Sequence, residues 1–139
     1  MKEGVGKVSV SKPALVRTDF TSDSIWREVV AAVTTPSKEG FLASLSIVDD
    51  HSFNGTSAEQ IAATVPSIQD HAVLFIVDRM TIVHRDRPVF CIDLPMSGRS
   101  FRAIPATLWS IENNLSLANM DFEEFGEAVD TDGIFRGFE

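Results

Sequence analysis

The chain of 139 residues is short of cysteine, of basic residues and of long apolar runs, and each shortage excludes a class of protein. Cys91 is the only cysteine, so intramolecular disulfides and multi-thiolate metal sites are excluded. The 12 Lys and Arg residues against 20 Asp and Glu give a net charge of −8, which argues against a nucleic-acid binder. No stretch of about 18 apolar residues occurs, so we expect no membrane span.

Catalytic signatures are also scarce. The sequence contains no Gly-x-Ser-x-Gly, His-Glu-x-x-His or Walker loop, so the serine and zinc hydrolase classes are excluded. Cys91 lies between Phe90 and Ile92, where a thiol is interpreted as a small buried apolar group rather than a nucleophile. The N-terminus lacks the apolar core of a signal peptide, which predicts a cytoplasmic location.

The length and the 44% hydrophobic content predict one packed domain. Residues 1–12 are rich in Gly, Ser and Lys without a period, and they are predicted to form a flexible leader. Residues 13–139 are predicted to form a single globular α/β domain.

Alternating apolar runs predict how this domain begins. Strands are expected at 14–19, 42–48 and 72–77, separated by helices near 25–33 and 57–64. The third run is apolar on both faces, which is typical of a central strand covered by helices on each side. Right-handed crossovers would make these three strands parallel and adjacent, or nearly adjacent.

The second half of the chain changes pattern. Strands are predicted at 81–84, 88–94 and 100–104, followed by a helix from Pro105 to about residue 114 and a short helix that a capping box starts at Asp121. The fold class is therefore an α/β sandwich with a β-α-β-α-β parallel start, an antiparallel strand annex and C-terminal helices.

Four carboxylates follow the three predicted parallel strands. Because the carboxyl ends of parallel strands meet at one edge of a sheet, these acids are expected to converge there and could hold Mg²⁺: Asp19, Asp49, Asp50 and Asp78. The chain would then be a Mg²⁺-dependent enzyme acting on a phosphate ester, with His51 or Arg79 contacting the substrate. In the alternative interpretation these acids cap helices, or Arg17 and Arg79 neutralise them.

Charge is distributed unevenly along the chain. Residues 79–102 carry five bases against two acids, whereas residues 103–139 carry one base against eight acids. This C-terminal segment predicts an acidic surface that binds a basic protein partner, with Trp109 beside the apolar stripe of its helix as an aromatic contact. The predicted acidic residues are Glu123, Glu124, Glu127, Asp130 and Asp132.

Several stretches carry a family resemblance. Residues 108–125 and 133–138, together with 16–20 and 48–50, resemble a bacterial domain-of-unknown-function family of small acidic proteins. That resemblance implies a single domain and no particular activity. Residues 117–125 also resemble the closing segment of the SUKH immunity and regulatory superfamily, which implies partner binding.

Two functions are therefore expected, in this order. The first is a small cytoplasmic protein-binding module, immunity-like or regulatory, that uses the acidic C-terminal surface and needs no cofactor. The second is the Mg²⁺-dependent enzyme at the carboxyl ends of the parallel strands.

Overall fold

The computed structural model describes residues 12–94 and 98–138, so all of the predicted leader except Lys12 lies outside the described residues. Its strands are β1 (Ala14–Arg17), β2 (Ser46–Val48), β3 (Val73–Val77), β4 (Val89–Asp93), β5 (Ser100–Ala103) and β6 (Ile134–Phe135). Its α-helices are α1 (Asp23–Val33), α2 (Ala58–Thr64), α3 (Arg79–Val83), α4 (Leu108–Ser116) and α5 (Phe122–Glu127). Short 3₁₀ turns occur at His51–Phe53, Pro66–Asp70 and Pro105–Thr107. Within the described ranges, no helix is both long and apolar enough to cross a bilayer.

The six strands form one mixed sheet in the order β2-β1-β3-β4-β5-β6. β1 is parallel to β2 and to β3, which confirms the predicted parallel start. β4 pairs antiparallel with β3 and β5, which confirms the antiparallel annex. β6 is parallel to β5. β4 therefore runs against the other five strands.

Helices cover the sheet on both faces, so the predicted α/β sandwich is confirmed. One face packs against α1, α4 and α5, and the other packs against α2 and the first two 3₁₀ turns. All five residues of β3 are buried, as expected of a central strand. Trp26, Val29, Leu108, Ile111 and Phe125 belong to the first core, and Phe53, Ile61 and Ile68 to the second.

Helix starts follow the local capping chemistry. The Ser22 hydroxyl accepts a hydrogen bond from the backbone of Ile25 and begins α1. The predicted capping box is present at Asp121 for α5, and a second one at Ser57 begins α2. Pro105 starts the 3₁₀ turn that leads into α4.

The strand predicted at 81–84 is wrong, because residues 79–83 form α3. The Asp78 carboxylate accepts from the Thr81 backbone at 3.3 Å, and the Thr81 hydroxyl accepts from the Asp78 backbone at 3.2 Å. This reciprocal capping box satisfies donors at the helix start and outweighs the strand preference of a β-branched run.

The predicted strand at 42–48 is too long, because only Ser46–Val48 joins the sheet. The backbone N–H of Ser44 donates to the buried carboxylate of Glu112 at 2.8 Å, and the carbonyl of Leu42 accepts from the side chain of Asn113 at 3.2 Å. Both partners lie in α4, so this part of the chain is held by a helix instead of a neighbouring strand.

Candidate functional site

Five strands end at the same side of the sheet, which we call the carboxyl edge. It carries the residues that follow β1, β2, β3, β5 and β6, together with the turn between α3 and β4. Crevices outside this edge are where open α/β sheets bind ligands. The four aspartates predicted to bind a metal all lie here.

Asp19 and Asp50 organise their own loops. Asp19 accepts from both the backbone and the hydroxyl of Thr21, and its second oxygen lies 3.9 Å from the guanidinium of Arg79. Asp50 caps the 3₁₀ turn by accepting from the Ser52 backbone at 2.9 Å. Hydrogen bonds from the backbone and side chain of Ser52 hold the pKa of Asp50 below its usual 3.8.

Asp49 belongs to a cluster built around Arg17. The Arg17 side chain is only 5% exposed and donates to Asp49 at 3.2 Å and to Asp23 at 2.6 Å. Asp49 also accepts from the indole of Trp26 at 3.1 Å, and the guanidinium lies 4.3 Å from the ring centre of Phe20. The Arg17 hydrogen bond and charge lower the pKa of Asp23. This cluster ties the end of β1 to the first turn of α1 and to the end of β2.

Asp78 makes two kinds of interaction at the end of β3. It caps α3, and its two oxygens accept from the guanidinium of Arg102 at 2.9 and 2.8 Å. Burial raises the pKa of Asp78, but the hydrogen bonds and charge of Arg102 and the bonds from Thr81 outweigh it and keep that pKa below 3.8.

The four aspartates follow strands at one common edge of the sheet, and the magnesium site itself stays a prediction that their contacts do not support. Asp19, Asp49, Asp50 and Asp78 each have separate partners, and the described residues contain no group of three or more His, Cys, Asp or Glu side chains that could hold a metal ion. His51 packs its ring against Phe20 at 4.5 Å between centres. The alternative interpretation, in which these acids cap loops and helices and pair with arginines, describes the observed contacts.

Two of the five predicted acidic surface residues are neutralised. Arg136, directly after β6, donates to Asp130 at 2.8 Å and to Asp132 at 2.7 Å, and it also reaches Asp86 at 2.8 Å. The hydrogen bonds from Arg136 lower the pKa of Asp86 and of Asp132. Asp130 and Asp132 were predicted to belong to the acidic surface because Arg136 is the single base in residues 103–139.

The other three acidic residues lie on the outward face of α5. Glu123, Glu124 and Glu127 are exposed, and in the described part of the chain none of them forms an ion pair with Lys or Arg. Glu124 accepts from the backbone of Asp121 at 3.0 Å within the capping box.

The inward face of α5 is aromatic. Phe122 and Phe125 are buried against Phe101 of β5, and the rings of Phe125 and Phe135 lie 5.3 Å apart. Phe138 extends this cluster at 5.5 Å from Phe125 and is 52% exposed. The helix is thus fixed to the sheet, with an exposed aromatic ring beside it.

Trp109, the predicted aromatic contact beside the acidic surface, is partly exposed. Its ring stacks on Phe41 at 5.2 Å with an angle of 10° between the planes. Cys91 is fully buried as predicted, and burial raises the pKa of its thiol. Neither residue joins the outward face of α5.

These features define a small α/β domain with paired charges along the carboxyl edge of its sheet and an unpaired acidic helix near its C-terminus. A family model for a domain of unknown function, DUF6924, matches residues 12–138, and the chain belongs to that family. The likeness to the SUKH superfamily is not shown by this match. A search of curated proteins found no match.

Proposed function

We propose that this domain binds a basic protein partner through the outward face of α5, formed by Glu123, Glu124 and Glu127, together with Phe138, whose half-exposed ring contacts Phe125 of the same helix. The observation that carries the proposal is the contrast within one acidic segment. Asp130 and Asp132 are neutralised by Arg136, whereas the three glutamates of α5 have no cationic partner in residues 12–94 and 98–138. The cytoplasmic location expected from the sequence forms part of this proposal.

Repulsion between the glutamates on this face favours the binding of cationic side chains. Glu123 and Glu127 are four residues apart on one helix, a spacing at which like charges repel by a few tenths of a kcal/mol. Lysine or arginine residues of a partner would relieve that repulsion and would be attracted from a distance by the net charge of −8.

Phe138 adds an exposed aromatic contact to the charged surface. Interfaces gain most of their affinity from a few well-packed side chains, among which aromatic residues are frequent, while surrounding charges set specificity and the association rate. The ring of Phe138 rests on Phe125 and Phe135, so its exposed half is held in place before any partner arrives. Little conformational entropy would be lost when a partner covers it.

The first test is charge reversal with a matched control. A partner is captured from the source cells with the full chain and purified, and its dissociation constant is then measured by calorimetry at several salt concentrations. Glu123→Lys combined with Glu127→Lys is expected to weaken binding at least about tenfold and to flatten the salt dependence. The control combines Glu39→Lys with Asp70→Lys, which makes the same charge change at two exposed acids elsewhere.

The outcomes separate local from general electrostatics. Retained affinity in the control with lost affinity in the α5 variant supports the proposal. Equal weakening in both variants, or no weakening in the α5 variant, contradicts it. Phe138→Ala leaves the charge untouched and is expected to speed dissociation of the same complex.

A further inference from the structure

A second feature of the carboxyl edge is a cleft far along the sheet from the Arg17 cluster. It has a volume of about 360 Å³ and opens between α1, the turn that precedes β4, and the segment that follows β5. This volume is at the lower end of the range for small-molecule sites. The floor is apolar and consists of Val29, Ala32, Ile104, Pro105 and Ala106.

Charged side chains line the mouth of the cleft, and most of their charge is paired within the chain, since Arg136 contacts Asp130 and Asp132 as well as Asp86. Three arginines, Arg85, Arg87 and Arg136, line it against the two acids Glu28 and Asp86. Glu28 forms an ion pair with Arg87 at 3.0 Å, and Asp86 forms one with Arg136 at 2.8 Å. The remaining cation is Arg85.

Of the three arginines, Arg85 forms the longest and most exposed ion pair. Its side chain is 93% exposed, and in the described part of the chain its one ion pair is with Asp86 at 4.0 Å, the limit of such a contact. An arginine in this position can close over an anion without giving up a strong internal bond.

The wall that carries Arg85 is rigid. Arg87 donates to the carbonyl oxygens of Ile82 and His84 at 3.2 and 2.8 Å and also to Glu28, which ties the turn to α1. Arg87 itself has φ of 52°, a left-handed conformation that costs free energy for a residue other than glycine and is frequent at ligand sites. The turn that carries Arg85 is thus fixed by internal hydrogen bonds.

We propose that this cleft binds a small organic anion, in which a compact apolar body contacts the floor and a single carboxylate or similar group pairs with Arg85. The proposal rests on the position of the Arg85 guanidinium beside an apolar floor, because this guanidinium has only the 4.0 Å contact with Asp86 among the described residues. It is independent of the α5 surface, which lies on different residues.

The test uses a defined probe on the full chain. Phenylacetate is titrated into ¹⁵N-labelled protein, with phenylacetamide as the neutral analogue of the same shape and inorganic phosphate as an anion without an apolar body. We expect saturable backbone shifts at Val29, Ala32, Ile104 and Ala106 with phenylacetate, at millimolar affinity for so small a ligand. Phenylacetamide and phosphate should bind about tenfold more weakly.

Three variants decide the outcome. Arg85→Ala should weaken phenylacetate about tenfold, the value of a charge-assisted hydrogen bond, and should leave phenylacetamide unchanged. Arg27→Ala removes an exposed arginine of α1 that does not line the cleft, and it should have no effect. Ala32→Phe should fill the cleft and abolish binding of both aromatic probes. Equal binding of phenylacetate to wild type and Arg85→Ala, equal binding of phosphate, or shifts confined to other residues would overturn the proposal.

Discussion

Replacing Phe125 with alanine is expected to lower the free energy of unfolding by about 3–5 kcal/mol, the range for an aromatic side chain removed from a packed core. Phe125 is fully buried and its ring meets three others, those of Phe101, Phe135 and Phe138. The substitution would leave a cavity between α5 and the last two strands. Because six-residue helices are not stable alone, α5 depends on this contact.

Denaturant unfolding measures the effect, and Phe138→Ala is the control. Phe138 belongs to the same cluster but is half exposed, so its loss should cost only about 1 kcal/mol. An unchanged dependence on denaturant concentration would show that both variants unfold in the same way. Equal losses for the two variants would contradict the central position of Phe125.

The second large effect is expected at Asp78, where one carboxylate serves both α3 and Arg102. Asp78→Ala removes the cap and the ion pair together and should cost about 2–4 kcal/mol. Asp78→Asn keeps a good capping residue but loses the charge, so it should cost about half as much. A double-mutant cycle with Arg102→Met isolates the ion pair.

The pH dependence of the free energy of unfolding tests independently whether folding lowers the pKa of Asp78. The pKa of Asp78 in the folded chain lies below the 3.8 of an ordinary aspartate, so the ionised form stabilises the fold at higher pH. That stabilisation is fully present above about pH 4 to 5 and disappears as the pH falls through the depressed value. The difference in stability between wild type and Asp78→Asn should therefore shrink below pH 4. A constant or growing difference would contradict the depressed pKa.

The parallel start of the sheet was predictable because it depends on local patterns. Residues 73–77 are apolar on both faces and buried on both, and the serine and aspartate caps of α1, α2 and α5 lie where their side chains predict. The error at α3 has the same origin. The Asp78 and Thr81 side chains form a capping box that was readable in the sequence, but the β-branched residues after it favoured a strand.

Two of the charge pairs at the carboxyl edge were not predictable, because they join residues distant in the chain. Arg102 is 24 positions from Asp78, and Arg136 is 50 positions from Asp86. A sequence shows which acids end parallel strands but does not show which arginines a later strand brings to the same edge. For this reason four aspartates suggested a metal site. The pairs of Arg136 with Asp130 and Asp132 are local, six and four positions apart, so this break in the acidic surface could have been read from the sequence.

The side-chain carboxyl groups at the carboxyl edge provide the most direct test that these aspartates pair with arginines and cap helices and turns. Carbon-detected NMR of the ¹³C-labelled full chain can follow the side-chain carboxyl signals of Asp19, Asp49, Asp50 and Asp78 while Mg²⁺ is raised to millimolar concentration. Their existing partners predict signals that stay in place apart from a small, uniform effect of salt. A saturable shift of all four signals with one common affinity would contradict the account and restore the metal site.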